Sequence, residues 1–312
     1  MNRFGSARQP FLFIIDFKAE KGFVIPEPDI QSDYIRFGIS PEEQNNYTNN
    51  QVFKWDLHPV SKTDYATRFN FVADQIHKGN SFLVNLTQPT EVETNLTTED
   101  FFNIGRAKYK LWLKNKFTVL SPETFVKIRN NKIFSYPMKG TIDATIPNAE
   151  KIILDDPKEK AEHATIVDLI RNDLSMVAEN VTVTKYRYID KIKTNKGGLL
   201  QVSSEIRGDL PEEFEQHLGD ILFKLLPAGS VSGAPKPKTV EIIETVENYE
   251  RGFYTGIFGW FDGTSLDSAV MIRYIEQKDE KLIFKSGGGI TFQSDVDKEY
   301  AELIQKVYVP LH

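Results

Sequence analysis

The sequence predicts an α+β fold in which antiparallel sheet is covered by long helices, and three features carry that expectation. Residues 117–141 alternate apolar and polar positions through FTVLSPETFVKI and KIFSYPMKGT, around the turn Arg129-Asn130-Asn131-Lys132. That period of two is the mark of strands. Asp156-Pro157 opens a segment with the chemistry of a helix start, because the Asp side chain accepts from a first-turn N–H and Pro has no N–H to lose. A second start lies between Ser294 and Asp297, where carboxylates meet the positive end of a helix dipole.

In chain order, the apolar run FLFIIDF at residues 11–17 reads as a strand, and residues 64–78 read as a helix ended by Gly79. SFLVNLTQPTEV (81–92) is a second strand, followed by the strands of 117–141. The helix opened by Asp156-Pro157 runs to about Leu174. Residues 225–246, LLPAGSVSGAPKPKTVEIIETV, pass from a small-residue loop into a helix whose first residue is read as Pro235. The strand AVMIRYIE (269–276), a charged turn and the strand KLIFK (281–285) form a hairpin that opens into SGGGI, so Arg273 and the triple glycine fall on neighbouring strands. The last helix carries the C-terminus. No repeat, low-complexity tract or Pro/Gly/Ser-rich linker marks a boundary, so residues 1–312 are read as a single domain.

Composition narrows the function. The 40% hydrophobic and 26% charged content is that of a soluble globular protein, and no apolar run approaches the roughly 20 residues that span a bilayer. MNRFGSARQP lacks the apolar core of a secretory signal and is read as mature sequence; with zero Cys, a cytoplasmic location is expected. The net charge of −6 argues against a nucleic-acid partner, so an anionic substrate has to be met by local cations, backbone N–H groups or a metal.

Several residues could carry chemistry. Glu299, Glu302 and Lys306 stand at i, i+3 and i+7, one face of the last helix, directly after the glycine run. A solvated, ion-paired face is the plain alternative. Three successive Gly let a backbone approach a ligand closely and offer N–H groups to an anion. Glu162 sits early in the capped helix, where the dipole alone would favour a carboxylate. Paired with Glu302 it would suit Mg2+, which takes one or two protein carboxylates and leaves positions for substrate oxygens. The five His show no HxH or HExxH spacing, which argues against zinc. Lys139, in PMKGT, has an edge-strand gatekeeper as its ordinary reading.

Together these segments resemble the chorismate-utilising enzymes, a family that includes anthranilate synthase, aminodeoxychorismate synthase component I and the isochorismate synthases. The resemblance runs in order through NSFLVNLT, SPETF, PMKGT, AEHATIVDLIRNDL, LLPAGSVSGAPK, RGFYTGIFGW, AVMIRYI and SGGGITFQSDVDKEYAE. It implies two large, mainly antiparallel sheets packed face to face with helices outside, and a shortened N-terminal part. It implies Glu162 and Glu302 as Mg2+ ligands, with Glu299 holding a metal-bound water. Arg273 and Tyr254 would bind the enolpyruvyl carboxylate of chorismate, while Thr141, Lys306 and the amides of Gly287, Gly288 and Gly289 line the rest of the anion pocket. Glu123 corresponds to the general acid. Lys139 stands where members that aminate carbon 4 carry a lysine nucleophile, and such members take ammonia from a glutamine amidotransferase. Burial and positive charge from Mg2+ or Arg273 are expected to keep the Lys139 amine neutral. Two positions depart from the family: Leu83, where aminating members commonly carry Gln, and Leu200, read as the place of a common His.

Overall fold

The computed structural model describes residues 1–39, 53–194 and 197–310. The strands form two sheets. The nine-stranded sheet runs in the order Met138–Asp143, Gly197–Asp209, Lys132–Ser135, Thr124–Arg129, Leu266–Val270, Ile257–Phe261, Phe11–Ile15 and Gly22–Pro26, with Glu179–Thr194 also pairing with Gly197–Asp209. The eight-stranded sheet runs Gly233–Ala234, Leu83–Glu93, Lys281–Ile290, Tyr274–Lys278, Phe117–Ser121, Tyr109–Leu113 and Ile35–Ile39, with Asp56–His58 added to Leu83–Glu93. All pairings are antiparallel, as the 117–141 pattern predicted.

Phe11–Ile15 shows why an unbroken apolar run forms a strand here. Leu12 and Ile14 point into the layer between the sheets, packed with Tyr109, Leu111, Val119 and Phe258. Phe11, Phe13 and Ile15 point the other way, toward Val167 and Leu174 of helix Pro157–Ser175 and Leu218 to Leu225 of the next. With both faces covered, neither set of positions can be polar. On the outer face of the eight-stranded sheet, Val84, Leu86 and Ile290 pack under helices Lys62–His77, Lys236–Val246 and Val296–Gln305.

The expected helix starts are present. The Asp156 side chain accepts from Glu159 N, Asp295 accepts from Asp297 N and Lys298 N, and Ser61 accepts from Asp64 N. Pro235 caps its helix rather than starting it, because its ψ of 140° is extended. Asn130 and Asn131 both have positive φ, 51° and 54°, which makes a tight two-residue hairpin turn.

The single strand expected over residues 269–276 is two. Leu266–Val270 belongs to one sheet and Tyr274–Lys278 to the other, and the chain crosses between them at Met271–Arg273. FTVLSPETFVKI divides in the same way, at Pro122-Glu123. Alternation reports strand conformation and says nothing of which sheet a strand joins. The two crossings lie side by side: Val270 N donates to Glu123 O at 3.2 Å, and Leu120 N donates to Arg273 O at 3.1 Å. Arg273 itself turns through a left-handed φ of 51°. Glu123 and Arg273, 150 positions apart, are thereby set at the seam of the two sheets.

Candidate active site

At this seam opens a cavity of about 470 Å³. Its wall includes Glu123, Lys139, Glu162, Tyr254, Arg273, Gly287, Gly288, Gly289 and Lys306. Sequence motifs far apart in the chain therefore meet at one place.

Lys139 reaches the cavity through a break in strand pairing. Met138 pairs with Ser203 and Thr141 with Gln201, so the register shifts between them. Gly140, inside the shift, has a φ of +90°, and a Cβ there would stand 2.8 Å from Glu159 Oε2. The positive φ calls for glycine, while the Glu159 carboxylate, at the end of a flexible side chain, could give way. The Lys139 Nζ lies 2.8 Å from Glu162 Oε2, and Lys158 lies 3.6 Å from the other oxygen. Burial pulls the Lys139 pKa down, but the charge and hydrogen bond of Glu162, with Glu302 and Glu159, outweigh it and raise the pKa. Among the protein's own groups carboxylates rather than cations face the amine, so they favour its ammonium form; the expected neutral amine called for the added charge of Mg2+.

The acidic residues of the last helix come from the opposite side. Glu299 accepts from Ser294 Oγ at 2.8 Å, and burial raises its pKa. Glu302 lies 2.7 Å from Lys306 Nζ; burial pushes it up, but Lys306, Lys139 and Lys158 outweigh that and lower it. Lys306 closes the helix as its C-cap and donates to Gly287 O at 3.0 Å. A Cβ on Gly288 would stand 3.2 Å from Glu299 Oε2 and 3.9 Å from Lys306 Nζ. The glycine run is strand rather than loop, paired as Gly287 to Thr87, Gly288 to Leu86 and Gly289 to Asn85. Beyond Lys285 this strand has one neighbour, so alternate peptide N–H groups point away from the ladder.

Across the seam, Glu123 accepts from Ser230 Oγ. Burial raises the Glu123 pKa against the opposing pull of Ser230, Arg273 and Lys306. Arg273 stacks 4.9 Å over the Tyr308 ring, and its Nε is buried with no partner. Tyr254 is buried beside Tyr274, their ring centres 5.8 Å apart, and burial raises its pKa.

Three expected site residues are off the cavity wall: Glu299 and Glu302, on the helix that flanks the glycine strand, and Thr141. Thr141 is exposed, because the register shift turns Lys139 inward in its place. Leu200 is buried, whereas its neighbour Gln201 lines the cavity. Strand alternation decides this, since adjacent residues face opposite ways. Leu83 does line the cavity. Sequence reasoning missed Glu159, three residues before Glu162 and on the same helix face, whose Oε2 is buried and unpartnered. It also missed Ser230 and the buried Glu247–Arg251 pair. Arg251 NH2 lies 2.6 Å from Glu247 Oε1 and donates at 2.6 Å to Asn85 O, while Glu247 accepts from Thr87 N and Oγ1 at 2.9 and 2.8 Å. This pair fixes the strand that forms one cavity wall.

Among the described residues no three His, Asp or Glu side chains are gathered as a ready-made metal cage. The donor chemistry nonetheless fits a hard divalent cation. Glu162 and Glu302 approach the same Lys139 ammonium from separate helices, and Glu159 brings a buried oxygen that lacks any donor.

The model of the chorismate binding enzyme family matches residues 25–312, and the chain belongs to that family. It is 54% identical over 313 residues to an uncharacterized PabA-like protein of Pasteurella multocida, spanning 99% of this chain and 97% of the relative. To anthranilate synthase component 1 of Acetivibrio thermocellus it is 34% identical over 266 residues, 79% of this chain and 52% of that protein. To aminodeoxychorismate synthase component 1 of Klebsiella aerogenes it is 30% identical over 269 residues, 81% of this chain and 58% of that protein. The chain thus spans only a little over half of these two. Among solved structures, anthranilate synthase component I of Streptococcus pneumoniae superposes with a TM-score of 0.68 and 26% identity, over 81% of this chain and 59% of that one. The two-sheet α+β architecture is therefore that of the chorismate-utilising enzymes. No described helix is long and apolar enough to cross a membrane.

Proposed function

We propose that this protein aminates chorismate at carbon 4 with ammonia, giving 4-amino-4-deoxychorismate for 4-aminobenzoate and folate synthesis in the cytoplasm. The observation that carries the reading is Lys139, an amine on the wall of the cavity that Glu123 also lines. Arg273, Tyr254, Lys306 and the glycine amides bind the substrate carboxylates. Glu162 and Glu302, with Glu299 and Glu159 beside them, would hold Mg2+. The metal supplies positive charge for the ring carboxylate.

The ammonium of Lys139 first has to lose a proton, and Glu162 at 2.8 Å is the group that holds it. Were Glu162 to bind a cation, its hold would weaken and the proton would pass to solvent, which the 37% exposed Lys139 side chain reaches. The neutral amine forms a bond to carbon 2, both ring double bonds shift by one position, and the carbon 4–oxygen bond breaks so that the hydroxyl leaves as water with the proton of Glu123. Ammonia then bonds to carbon 4, both double bonds shift back, the carbon 2–nitrogen bond breaks to release the Lys139 amine, and a proton of the new amino group returns to Glu123. The raised Glu123 pKa supports its part as proton donor.

A second reading, amination at carbon 2, draws support from the 34% identity to an anthranilate synthase component. Mass and NMR analysis of the product from chorismate, ammonium and Mg2+ separates the two, and an anthranilate-type product would overturn the first. The 312 residues contain no Cys, so this chain brings no thiol for releasing ammonia from glutamine. A glutamine amidotransferase is the partner this implies. Glutamine should support turnover only when that partner is added; glutamine-dependent product from the purified chain alone would refute this.

A further inference from the structure

We propose that two copies of this chain join edge to edge through strand Gly22–Pro26, so that their nine-stranded sheets become one continuous sheet. The strand closes one end of its sheet, and among the described residues it pairs with Phe11–Ile15 alone. A free edge presents unpaired N–H and C=O groups, and proteins guard such edges with charge, with shortness or with a cover. The other edge strands among the described residues follow that rule. Met138–Asp143 carries Lys139 and Asp143, Glu179–Thr194 carries Lys185, Ile35–Ile39 carries Arg36, Asp56–His58 carries Asp56, and Gly233–Ala234 has 2 residues. Gly22–Pro26 reads GFVIP, has no charge, and leaves Phe23 43% and Val24 37% exposed.

The hydrogen bonds at the two ends of this strand fix which of its main-chain groups face outward. Asp16 N donates to Lys21 O, and Glu27 N donates to Pro10 O, both at 3.0 Å. Bonded and non-bonded pairs alternate along an antiparallel ladder, so Phe23 and Ile25 spend their main-chain groups on Ile14 and Leu12. Gly22, Val24 and Pro26 turn theirs to the free edge.

Those outward groups are self-complementary about Val24. In a two-fold antiparallel pairing, Val24 exchanges both main-chain hydrogen bonds with Val24 of the second copy, and each Gly22 N–H donates to the other copy's Pro26 carbonyl. Pro26 has no N–H, and this register asks it only to accept. The same register sets Phe23 against Ile25, an aromatic side chain opposite a β-branched one, and Lys21 against Glu27. Both contacts occur at non-hydrogen-bonded pairs, where facing side chains are closest, and the two-fold axis repeats each of them. A slip that sets Phe23 opposite Phe23 would make as many hydrogen bonds but would place Lys21 against Ile25. The opposite charges, both exposed and one at each end of the strand, therefore select a second copy centred on Val24.

The test is sedimentation velocity of the full chain from about 1 to 100 µM, the range in which an interface of this small size shows a concentration-dependent dimer. Lys21→Glu or Glu27→Lys alone sets like charges against each other at both ends of the pairing and should raise the dissociation constant about tenfold. The two changes together restore opposite charges and should return it to within about threefold of the wild type. Val24→Pro removes an N–H that faces away from Phe11–Ile15 and should leave a monomer with unchanged far-UV circular dichroism. Should Val24→Pro fail to fold, the exposed charge reversals decide the matter without it. A wild type that is monomeric throughout overturns the proposal and leaves the edge to a strand of another protein. A dimer that single charge reversals do not weaken, or that the double reversal does not restore, overturns it as well.

Discussion

Replacing Lys139 with alanine separates a chemical role from a structural one, because the structure predicts very different sizes for the two effects. The Lys139–Glu162 pair is close, at 2.8 Å, but the side chains are 37% and 16% exposed. Solvent screening at that exposure limits its net contribution to about 1 kcal/mol or less. Glu162 also keeps Lys158, 3.6 Å away, as a second cation. The melting temperature should therefore fall by no more than about 2–4 °C. Loss of a covalent nucleophile is a far larger matter, and carbon-4 amination should drop at least about a thousandfold, or about 4 kcal/mol in the barrier. The assay pairs thermal melting with product formation, and adds rapid trapping of wild-type protein with chorismate and Mg2+ without ammonium. The peptide containing Lys139 should then carry the mass of chorismate less water. Lys139→Arg, which keeps the charge but not the nucleophile, should behave like Lys139→Ala. A competent Arg variant, or the 4-amino product formed with no trappable adduct, would refute the reasoning.

Burial holds the Glu123 pKa above the usual carboxyl value, so its proton is available below the folded-state pKa and lost above it. The rate should decline as pH rises through that value, and Glu123→Gln should both slow the reaction and flatten that limb; an unchanged limb would remove Glu123 as the acid. The same raised pKa means that whatever stability Glu123 lends is full below its unfolded value and lost as pH climbs through the folded one. Glu162→Gln or Glu302→Gln should weaken Mg2+-dependent chorismate binding by calorimetry, and full activity in excess chelator would defeat the metal assignment. Glu247→Leu leaves Arg251 charged and unpaired at 3% exposure and should cost about 3–5 kcal/mol in urea unfolding, much of it recovered by adding Arg251→Met. Independent, additive losses from the two changes would show that they do not act as a pair.

Much of this protein is legible in its sequence because the determinants are local. Asp156-Pro157 and Asp295 start helices through hydrogen bonds made within three residues, and Asn130-Asn131 closes a hairpin through two left-handed residues. The ordered motifs name the cavity residues, and apart from Thr141 the structure brings together those expected to bind the substrate or act on it. Only tertiary structure decides the rest, since each remaining fact depends on what faces a residue across space. The division of residues 269–276 between two sheets, and with it the meeting of Arg273 and Glu123, follows from partners 150 positions apart. The charge on Lys139 is set by carboxylates from separate helices, and the choice of Gln201 over Leu200 by one step of strand register. Sequence fixes what a short segment can do by itself; the electrostatics of a cavity are long-ranged and exist only after the segments have been brought together.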